Sequence, residues 1–342
     1  MKRSLLFPIL VASALALGAT GIAWADEASG EVESTSKVAV LDGEVGVTDE
    51  ALALDEAEPS AQAASDEATD AADDAFISAQ ATTSAVSKPT QDQIRQYLLT
   101  HKINSTAAPE YAADQTPSTV APGKAGQLTT ASANNGLNML NWIRYIAGIQ
   151  SVTLDESYNE ICQAASLIMA WNGGISHYPT QPNGMSDELY ELGAKGASRS
   201  NISMGYAGPA ATVLGYMSDS DSNNLSRVGH RQWCLDPYMG KTGFGYAGRC
   251  SAMYSFDVSN TATPQYEAIT WPANNTPSAI FSRNDAWSFS ADWIEAGDTT
   301  LSVDIVRQGD GKTWQFKNPT VGGNSNSSGG YFATASTVCG GL

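Results

Sequence analysis

The chain of 342 residues contains only three histidines, and two of them, His177 and His230, lie in one stretch rich in glycine and aromatic residues. A neutral imidazole is the commonest metal ligand in proteins and a common acid or base near neutral pH. Two imidazoles within residues 171–247 therefore suggest a shared site for a ligand, a metal ion or a proton transfer. The third, His101, is expected to lie exposed at the polar end of a short helix.

The motifs of several hydrolase and nucleotide-binding classes are absent from the sequence. It contains no His-Glu-x-x-His, no Gly-x-Ser-x-Gly and no phosphate-binding glycine loop. Three serines near the histidines, Ser176, Ser200 and Ser203, would permit a nucleophile, but no orienting acid or oxyanion arrangement is identifiable. The alternative to any shared site is that the two histidines are held in hydrogen-bond networks between helix and sheet.

The net charge of −18 is mostly local. Residues 26–75 hold sixteen acidic residues and one basic residue, Lys37. Residues 26–90 are rich in Ala, Glu, Asp, Ser and Thr and have almost no aromatic residues. They are predicted to be an acidic disordered spacer, because such a segment cannot bury enough apolar surface to offset the entropy of ordering. A calcium-binding or partner-binding tail is the functional alternative. Nucleic-acid binding is not expected, since phosphate recognition needs clustered Lys and Arg.

The N-terminus carries the pattern of a secretory signal peptide over residues 1–25. Lys2-Arg3 precedes the apolar residues 5–18, and Ala23-Trp-Ala25 is a small-x-small cleavage pattern. The alternative is an uncleaved membrane anchor, but the apolar run is shorter than the roughly 20 residues that a spanning helix needs, and no other stretch is long and apolar enough. We therefore expect a protein that is secreted, extracellular or associated with the cell surface, without an integral membrane segment after signal cleavage.

Cysteine usage fits an oxidising compartment. The four cysteines are Cys162, Cys234, Cys250 and Cys339. They permit three pairings, among which sequence cannot choose, and none has Cys-x-x-Cys spacing. We interpret them as structural staples or buried thiols.

The elements that must position the histidines are helices followed by strands. A short helix and a linker are predicted over residues 91–132. Residues 133–258 are predicted to be a folded domain and residues 259–342 a β-rich C-terminal extension, with strands near 286–293 and 301–307. Four helices are predicted in the domain. The first covers 135–146 with Gly148 as its stop, and the second runs from a Thr153–Glu156 capping box to Gly173. The third covers 186–192 with Gly193 as its break, the fourth runs from Pro209 to about Asp219, and strands are predicted at 243–247 and 252–258.

Several short motifs occur in an order that resembles a known superfamily. They are Leu137-Asn-Met-Leu-Asn-Trp-Ile-Arg144, Ser176-His177, Asn201-Ile202, Gly229-His230-Arg231, Leu235-Asp-Pro237 and Gly243-Phe-Gly-Tyr-Ala247. The ordered set resembles the cysteine-rich secretory protein, antigen 5 and pathogenesis-related (CAP, or SCP-like) superfamily, and is most similar to its bacterial branch. The resemblance implies an α+β fold, an α-β-α sandwich with a large cleft.

The resemblance also implies which residues line that cleft. In the family, two histidines and two acidic residues can bind a divalent cation such as zinc; His177 and His230 match the histidines, and Asp219 resembles one acid. The second acid lies in Gly-Glu-Asn-Ile, where this chain has Ser200 before Asn201. Two His and one Asp leave a possible set of three protein ligands plus water. Zinc or another divalent cation at His177, His230 and Asp219 is therefore the cofactor hypothesis.

The resulting expectation is a secreted, non-catalytic binding module. Its cleft, lined by His177, Asn201, Asp219 and His230, would hold a small molecule, lipid, glycan or peptide, and no residue is assigned a catalytic role. The first alternative is a metal-assisted hydrolase or peptidase, in which a zinc-bound water on His177, His230 and Asp219 attacks a peptide or ester. The second is a structural cell-surface protein.

Overall fold

The computed structural model describes residues 4–9, 88–221, 224, 227–261, 268–282, 285–291, 302–307, 312–317, 322–323 and 330–335. The predicted acidic spacer lies outside the described residues except at its last three positions. Cys339 also lies outside the described residues. The described helices and strands, in chain order, are β1 (Ser4–Ile9), α1 (Gln91–Thr100), α2 (Thr130–Ala147), β2 (Thr153–Leu154), α3 (Glu156–Asn172), α4 (Asp187–Ala197), β3 (Ser200–Met204), α5 (Pro209–Ser218), α6 (Gly229–Cys234), β4 (Lys241–Thr242), β5 (Phe244–Ala247), β6 (Cys250–Tyr254), β7 (Ile269–Trp271), a 3₁₀ turn (Ser278–Ile280), β8 (Ala286–Ala291), β9 (Ser302–Arg307), β10 (Thr313–Lys317), β11 (Gly322–Gly323) and β12 (Gly330–Ala335).

A central antiparallel sheet has the strand order β3-β6-β5. The strands predicted at 243–247 and 252–258 correspond to β5 and β6, which pair antiparallel with Tyr246 opposite Ser251. The predicted bounds of the second strand are wrong, because β6 begins at Cys250 and ends at Tyr254. The third strand, β3, was not predicted, and it places Asn201 opposite Met253. Its five residues show no alternation of apolar and polar side chains, since four of them are buried whatever their polarity.

Side chains alternate across this sheet and enter two separate apolar clusters. Phe244, Tyr246 and Met253 belong to a cluster with residues of α2 and α5. Cys250, Ala252 and Tyr254 belong to a second cluster, with residues of α3 and α4. Helices therefore cover both faces of the sheet, as the period of two along each strand requires.

Glycines set the spacing between α3 and its neighbours. A Cβ at Gly243 or Gly245 of the β5 region would lie 2.4 Å or 2.2 Å from backbone atoms of α3. Gly193 was predicted to end a short helix, which is wrong, because it lies inside α4, which continues to Ala197. A Cβ there would lie 2.4 Å from Ile168 Cδ1, so this glycine serves close helix packing and not termination.

Helix termini follow the local signals where no other element competes. Gly148 and Gly173 end α2 and α3 in the left-handed conformation, with φ of 76° and 72°, as predicted. The N-cap of α3 is Asp155 and not Thr153. The backbone N–H of Thr153 donates to Gly240 O at 3.0 Å, because residues 153–154 pair with β4, and the helix starts after that strand.

Strands predominate among the described residues after 268. The predicted strands near 286–293 and 301–307 are confirmed as β8 and β9. They lie in two sheets, β11-β12-β8-β7 and β1-β9-β10, which are separate from the central one. The strand β1 falls within the predicted signal peptide and pairs in parallel with β9.

Two further expectations concern cysteines and membrane spans. Cys162, Cys234 and Cys250 are buried free thiols. Burial raises the pKa of Cys162 to about 12 and that of Cys250 to about 11, which makes these thiols poor nucleophiles near neutral pH. Within the part of the chain that the structure describes, no helix has both the length and the apolar character needed to cross a membrane.

Candidate functional site

The imidazole of His230 is held by a buried carboxylate. Asp219 follows α5 with φ of 47°, a left-handed conformation that Asp adopts more readily than most residues. This turn places Asp219 Oδ1 at 2.8 Å from His230 Nδ1, while Oδ2 accepts from the backbone N–H of Arg231 at 3.1 Å. The Asp219 side chain has no exposed surface, whereas that of His230 is 26% exposed. The pair thus fixes the ring through Nδ1 and leaves Nε2 available to a ligand.

Asn201 and Tyr216 hold His230 in place through hydrogen bonds and a ring contact. Asn201 Nδ2 donates to the carbonyl of His230 at 2.9 Å, and Tyr216 OH donates to the carbonyl of Asn201 at 2.8 Å. The Tyr216 ring stacks on the His230 ring with centroids 5.4 Å apart. Asn201 is only 2% exposed. The predicted cleft residue Asn201 therefore orients the backbone of His230 and does not present its amide to a ligand.

His177 lies on the exposed loop that follows α3. Its Nδ1 is 2.8 Å from the carbonyl of Ala197, at the end of α4, so its Nε2 is also the available ring nitrogen. The pKa of His177 is lowered, first by desolvation of the ring and then by the positive charges of His230 and Arg227. Electrostatic effects of this kind act over short distances, which indicates that the three side chains lie near one another.

The titration of His177 tests this proximity. We expect the pKa of His177 in the native protein to lie below the ordinary value of 6.5, and His230→Ala to raise it partway back. The reason is that removing a neighbouring positive charge favours protonation, while the larger desolvation effect remains. The measurement is a pH titration of the ring nitrogens by NMR, with His101→Ala as the matched control. An unchanged His177 titration in His230→Ala would mean that the two rings do not share a region.

Apolar side chains flank both histidines. Ile175 and Tyr178, within two residues of His177 in the chain, are 44% and 84% exposed. Trp233, on the same short helix as His230, stacks on Phe256 with ring centroids 4.4 Å apart, and Phe256 is 45% exposed. Exposed apolar surface around a few fixed polar groups is typical of a ligand site.

Arg231 is the supporting residue that sequence reasoning did not place. It is 1% exposed and its guanidinium donates to the carbonyls of Met217, Ser218 and Ala286 at 2.7, 2.9 and 2.5 Å, and to Ser288 Oγ at 3.1 Å. Burial lowers its pKa to about 10. Arg231 therefore joins the end of α5 to β8 beneath His230. A charged residue directly after a site histidine was the available signal.

The side chains present do not form a complete zinc ligand set. Among the residues that the structure describes, no group of three or more His, Cys, Asp or Glu is placed to hold a metal ion. Both oxygens of Asp219 are engaged by His230 and Arg231, and Ser200 is buried with its hydroxyl 3.5 Å from Cys162 Sγ. Two imidazole nitrogens remain, whereas a catalytic zinc site has three protein ligands. The residues present at this site therefore do not fit a catalytic zinc ion.

Comparisons with known proteins identify the domain that carries this site. Residues 137–289 match the family model described as the cysteine-rich secretory protein family, CAP. Among solved structures, the chain is similar to an extracellular protein containing an SCP domain from Bacillus anthracis str. Ames, with 17% identity, a TM-score of 0.28 and coverage of 36% of this chain and 39% of that one. The chain thus spans about two fifths of that structure, and a search of curated proteins gave no match. Residues 137–289, which are less than half of the chain, are therefore similar to the CAP family.

Proposed function

We propose that this CAP domain is an extracellular, non-catalytic binding module whose ligand contacts His177 and His230. The proposal rests on the hydrogen bonds that the two imidazole rings make to the protein. Each Nδ1 is already bonded to the protein, to Ala197 O and to Asp219 Oδ1. Each Nε2 is therefore held in a fixed direction as a hydrogen-bonding group for a ligand. Preorganised groups of this kind reduce the entropy lost on binding.

The surroundings of the rings favour a ligand with both hydrogen-bonding and apolar parts. Ile175, Tyr178 and Phe256 offer exposed apolar surface, and aromatic rings supply contact area at low entropic cost. Glycans and peptides combine these features. We also propose that the helices on both faces of the central sheet form the family's α-β-α sandwich, and that the protein acts outside the cell after removal of residues 1–25.

The serines near the histidines support a non-catalytic role. Ser203 Oγ is 2.8 Å from Ser251 Oγ in the buried sheet, and Ser176 Oγ accepts from the backbone N–H of Tyr178 at 3.0 Å. Ser200 is 3% exposed and faces Cys162. None of the three is hydrogen-bonded to a histidine in the described part of the chain, whereas an activated nucleophile needs such a base.

One observation favours a second candidate function, hydrolysis. A buried carboxylate bonded to Nδ1 of an imidazole is the arrangement that makes Nε2 a general base in the serine hydrolases. The Asp219–His230 pair has this geometry at 2.8 Å. In this alternative, His230 Nε2 takes a proton from water as the water attacks the carbonyl carbon of an ester or amide, and it returns that proton to the alcohol or amine that leaves when the C–O or C–N bond breaks.

A binding and turnover comparison separates the two candidates. Wild-type protein is applied to glycan and peptide arrays, and hits are retested for affinity and for cleavage. We expect the His177→Ala, His230→Ala double variant to bind the ligand at least about tenfold more weakly, because hydrogen bonds from two imidazoles to the ligand are lost. We expect no cleavage by the wild type.

The matched control is His101→Ala, which removes the third, exposed histidine, whose ring stacks on Tyr97 outside the site. It should bind as the wild type does, and circular dichroism should show all proteins folded. Cleavage that depends on His230 would favour the hydrolase. Binding that survives unchanged in the double variant would contradict the binding proposal, and the absence of His230-dependent cleavage would contradict the hydrolase.

A further inference from the structure

A cavity of about 450 Å³ lies apart from the histidines, between the linker and the start of α3. Its volume falls within the range of small-molecule sites, about 300–1,000 Å³. Leu128, Leu154 and Phe244 give it an apolar lining. Leu128 and Phe244 are 7% and 2% exposed and belong to the main apolar cluster, so this lining is rigid.

One face of α3 supplies the polar wall of the cavity. Glu156, Asn159, Glu160 and Gln163 line it at the i, i+3, i+4, i+7 spacing that places residues on one side of a helix. Glu156 is fixed on both oxygens, because Gln127 Nε2 donates to Oε1 at 2.8 Å and Asn159 Nδ2 donates to Oε2 at 3.2 Å. The first of these bonds also ties the linker to the helix.

Gln163 fixes the opposite end of this wall. It is 2% exposed, its Nε2 donates to Ala125 O at 2.9 Å and to Tyr246 O at 2.7 Å, and its Oε1 accepts from the N–H of Tyr246. Gln163 therefore joins α3 to both the linker and the central sheet. The cavity walls are thus held in place by side-chain bonds that exist before any ligand enters.

The charges around the cavity have one sign. Glu156 and Glu160 are the charged residues that line it. Among the described residues, neither glutamate forms an ion pair with a Lys, Arg or His side chain. Like charges at i and i+4 repel. The helix N-terminus stabilises Glu156, which is in the first turn, but that effect fades within one turn and does not extend to Glu160.

We propose that this cavity binds a small organic cation with an apolar portion, an alkyl- or arylalkyl-ammonium compound. Its ammonium group lies between Glu156 and Glu160, where it removes their repulsion and forms charge-assisted hydrogen bonds. Its apolar portion lies against Leu128, Leu154 and Phe244. This site is independent of the function proposed for the histidines.

The test is calorimetric titration of the full chain with 4-phenylbutylamine and with its neutral match, 4-phenylbutan-1-ol. The amine is expected to bind at least about tenfold more tightly, because only the ammonium forms hydrogen bonds of the charge-assisted kind. Glu160→Gln is expected to weaken amine binding about tenfold and to leave the alcohol unaffected. Since Glu160 is exposed, this variant should fold normally.

Two further variants make the result specific to the cavity. Glu191→Gln removes an exposed acid from α4 and should not change amine affinity. Gln115→Trp places a bulky ring at the linker wall and should abolish binding of both compounds. Equal affinity for amine and alcohol, no binding of the amine at millimolar concentration, or amine binding unchanged in Glu160→Gln would each overturn the proposal.

Discussion

Replacing Arg231 by lysine is expected to lower the free energy of unfolding by about 3 kcal/mol, in the range for breaking a buried charged network. The guanidinium makes four hydrogen bonds, to three carbonyls and the Ser288 hydroxyl, from a position that is 1% exposed. A lysine has one nitrogen and cannot reach acceptors that lie on both α5 and β8. It leaves buried carbonyls without donors and a buried ammonium with too few acceptors.

The measurement is urea unfolding followed by tryptophan fluorescence and by circular dichroism. Arg249→Lys is the matched control, because Arg249 is exposed and the same substitution there should change stability by less than about 0.5 kcal/mol. If Arg231→Lys were as stable as this control, the four bonds would not hold β8 against α5. We also expect ligand contacts at His230 to weaken in Arg231→Lys, since the guanidinium bonds hold in place the backbone of residue 231, whose N–H donates to Asp219.

Local signals in the sequence predicted the elements that depend on neighbouring residues alone. The glycines at 148 and 173 end their helices because a left-handed residue is needed there and nothing packs against them. Pro209 begins α5, as its fixed φ favours. Strands close to β5 and β6 were predicted from the short apolar runs at 243–247 and 252–258.

The predictions failed where a distant segment decides the local structure. Thr153 has the side chain of a helix cap, but its backbone is paired with β4, a strand that comes much later in the chain. The sequence pattern predicts a helix break at Gly193, but the residue lies inside α4, where only glycine leaves room for the close packing of Ala164 and Ile168 of α3. The start of α3 and the continuation of α4 are decided by tertiary contacts, which local sequence patterns do not reveal.

The candidate site also combines features that the sequence predicted with features that depend on tertiary contacts. Residue types and the family resemblance singled out His177, Asp219 and His230, and the structure joins Asp219 to His230 directly. What sequence could not give is the role of each polar group. Asn201 was expected to face a ligand, yet it bonds to the backbone of His230. The distinction depends on burial, 2% for Asn201 against 26% for the His230 side chain.

Gly245→Ala is expected to have the largest effect of any single methyl group added to this domain, a loss of about 4 kcal/mol or failure to fold. The added Cβ would lie 2.2 Å from the carbonyl carbon and oxygen of Cys162 and 2.3 Å from the backbone nitrogen of Gln163. All three atoms belong to the backbone of α3, so no side-chain rotation relieves the overlap. Either α3 moves away from β5 as a unit, or the strand leaves the sheet.

Gly174→Ala is the control for this substitution, because a Cβ at Gly174 meets nothing within 4 Å. Its melting temperature should stay close to that of the wild type, while Gly245→Ala should melt far lower or be recovered only as aggregate. Near-equal melting temperatures would mean that α3 can shift without cost. Because α3 leads into the His177 loop and also forms the wall of the Glu156–Glu160 cavity, a folded Gly245→Ala protein should lose affinity at both sites together. Loss at one site alone would show that the two sites do not depend on the same position of this helix.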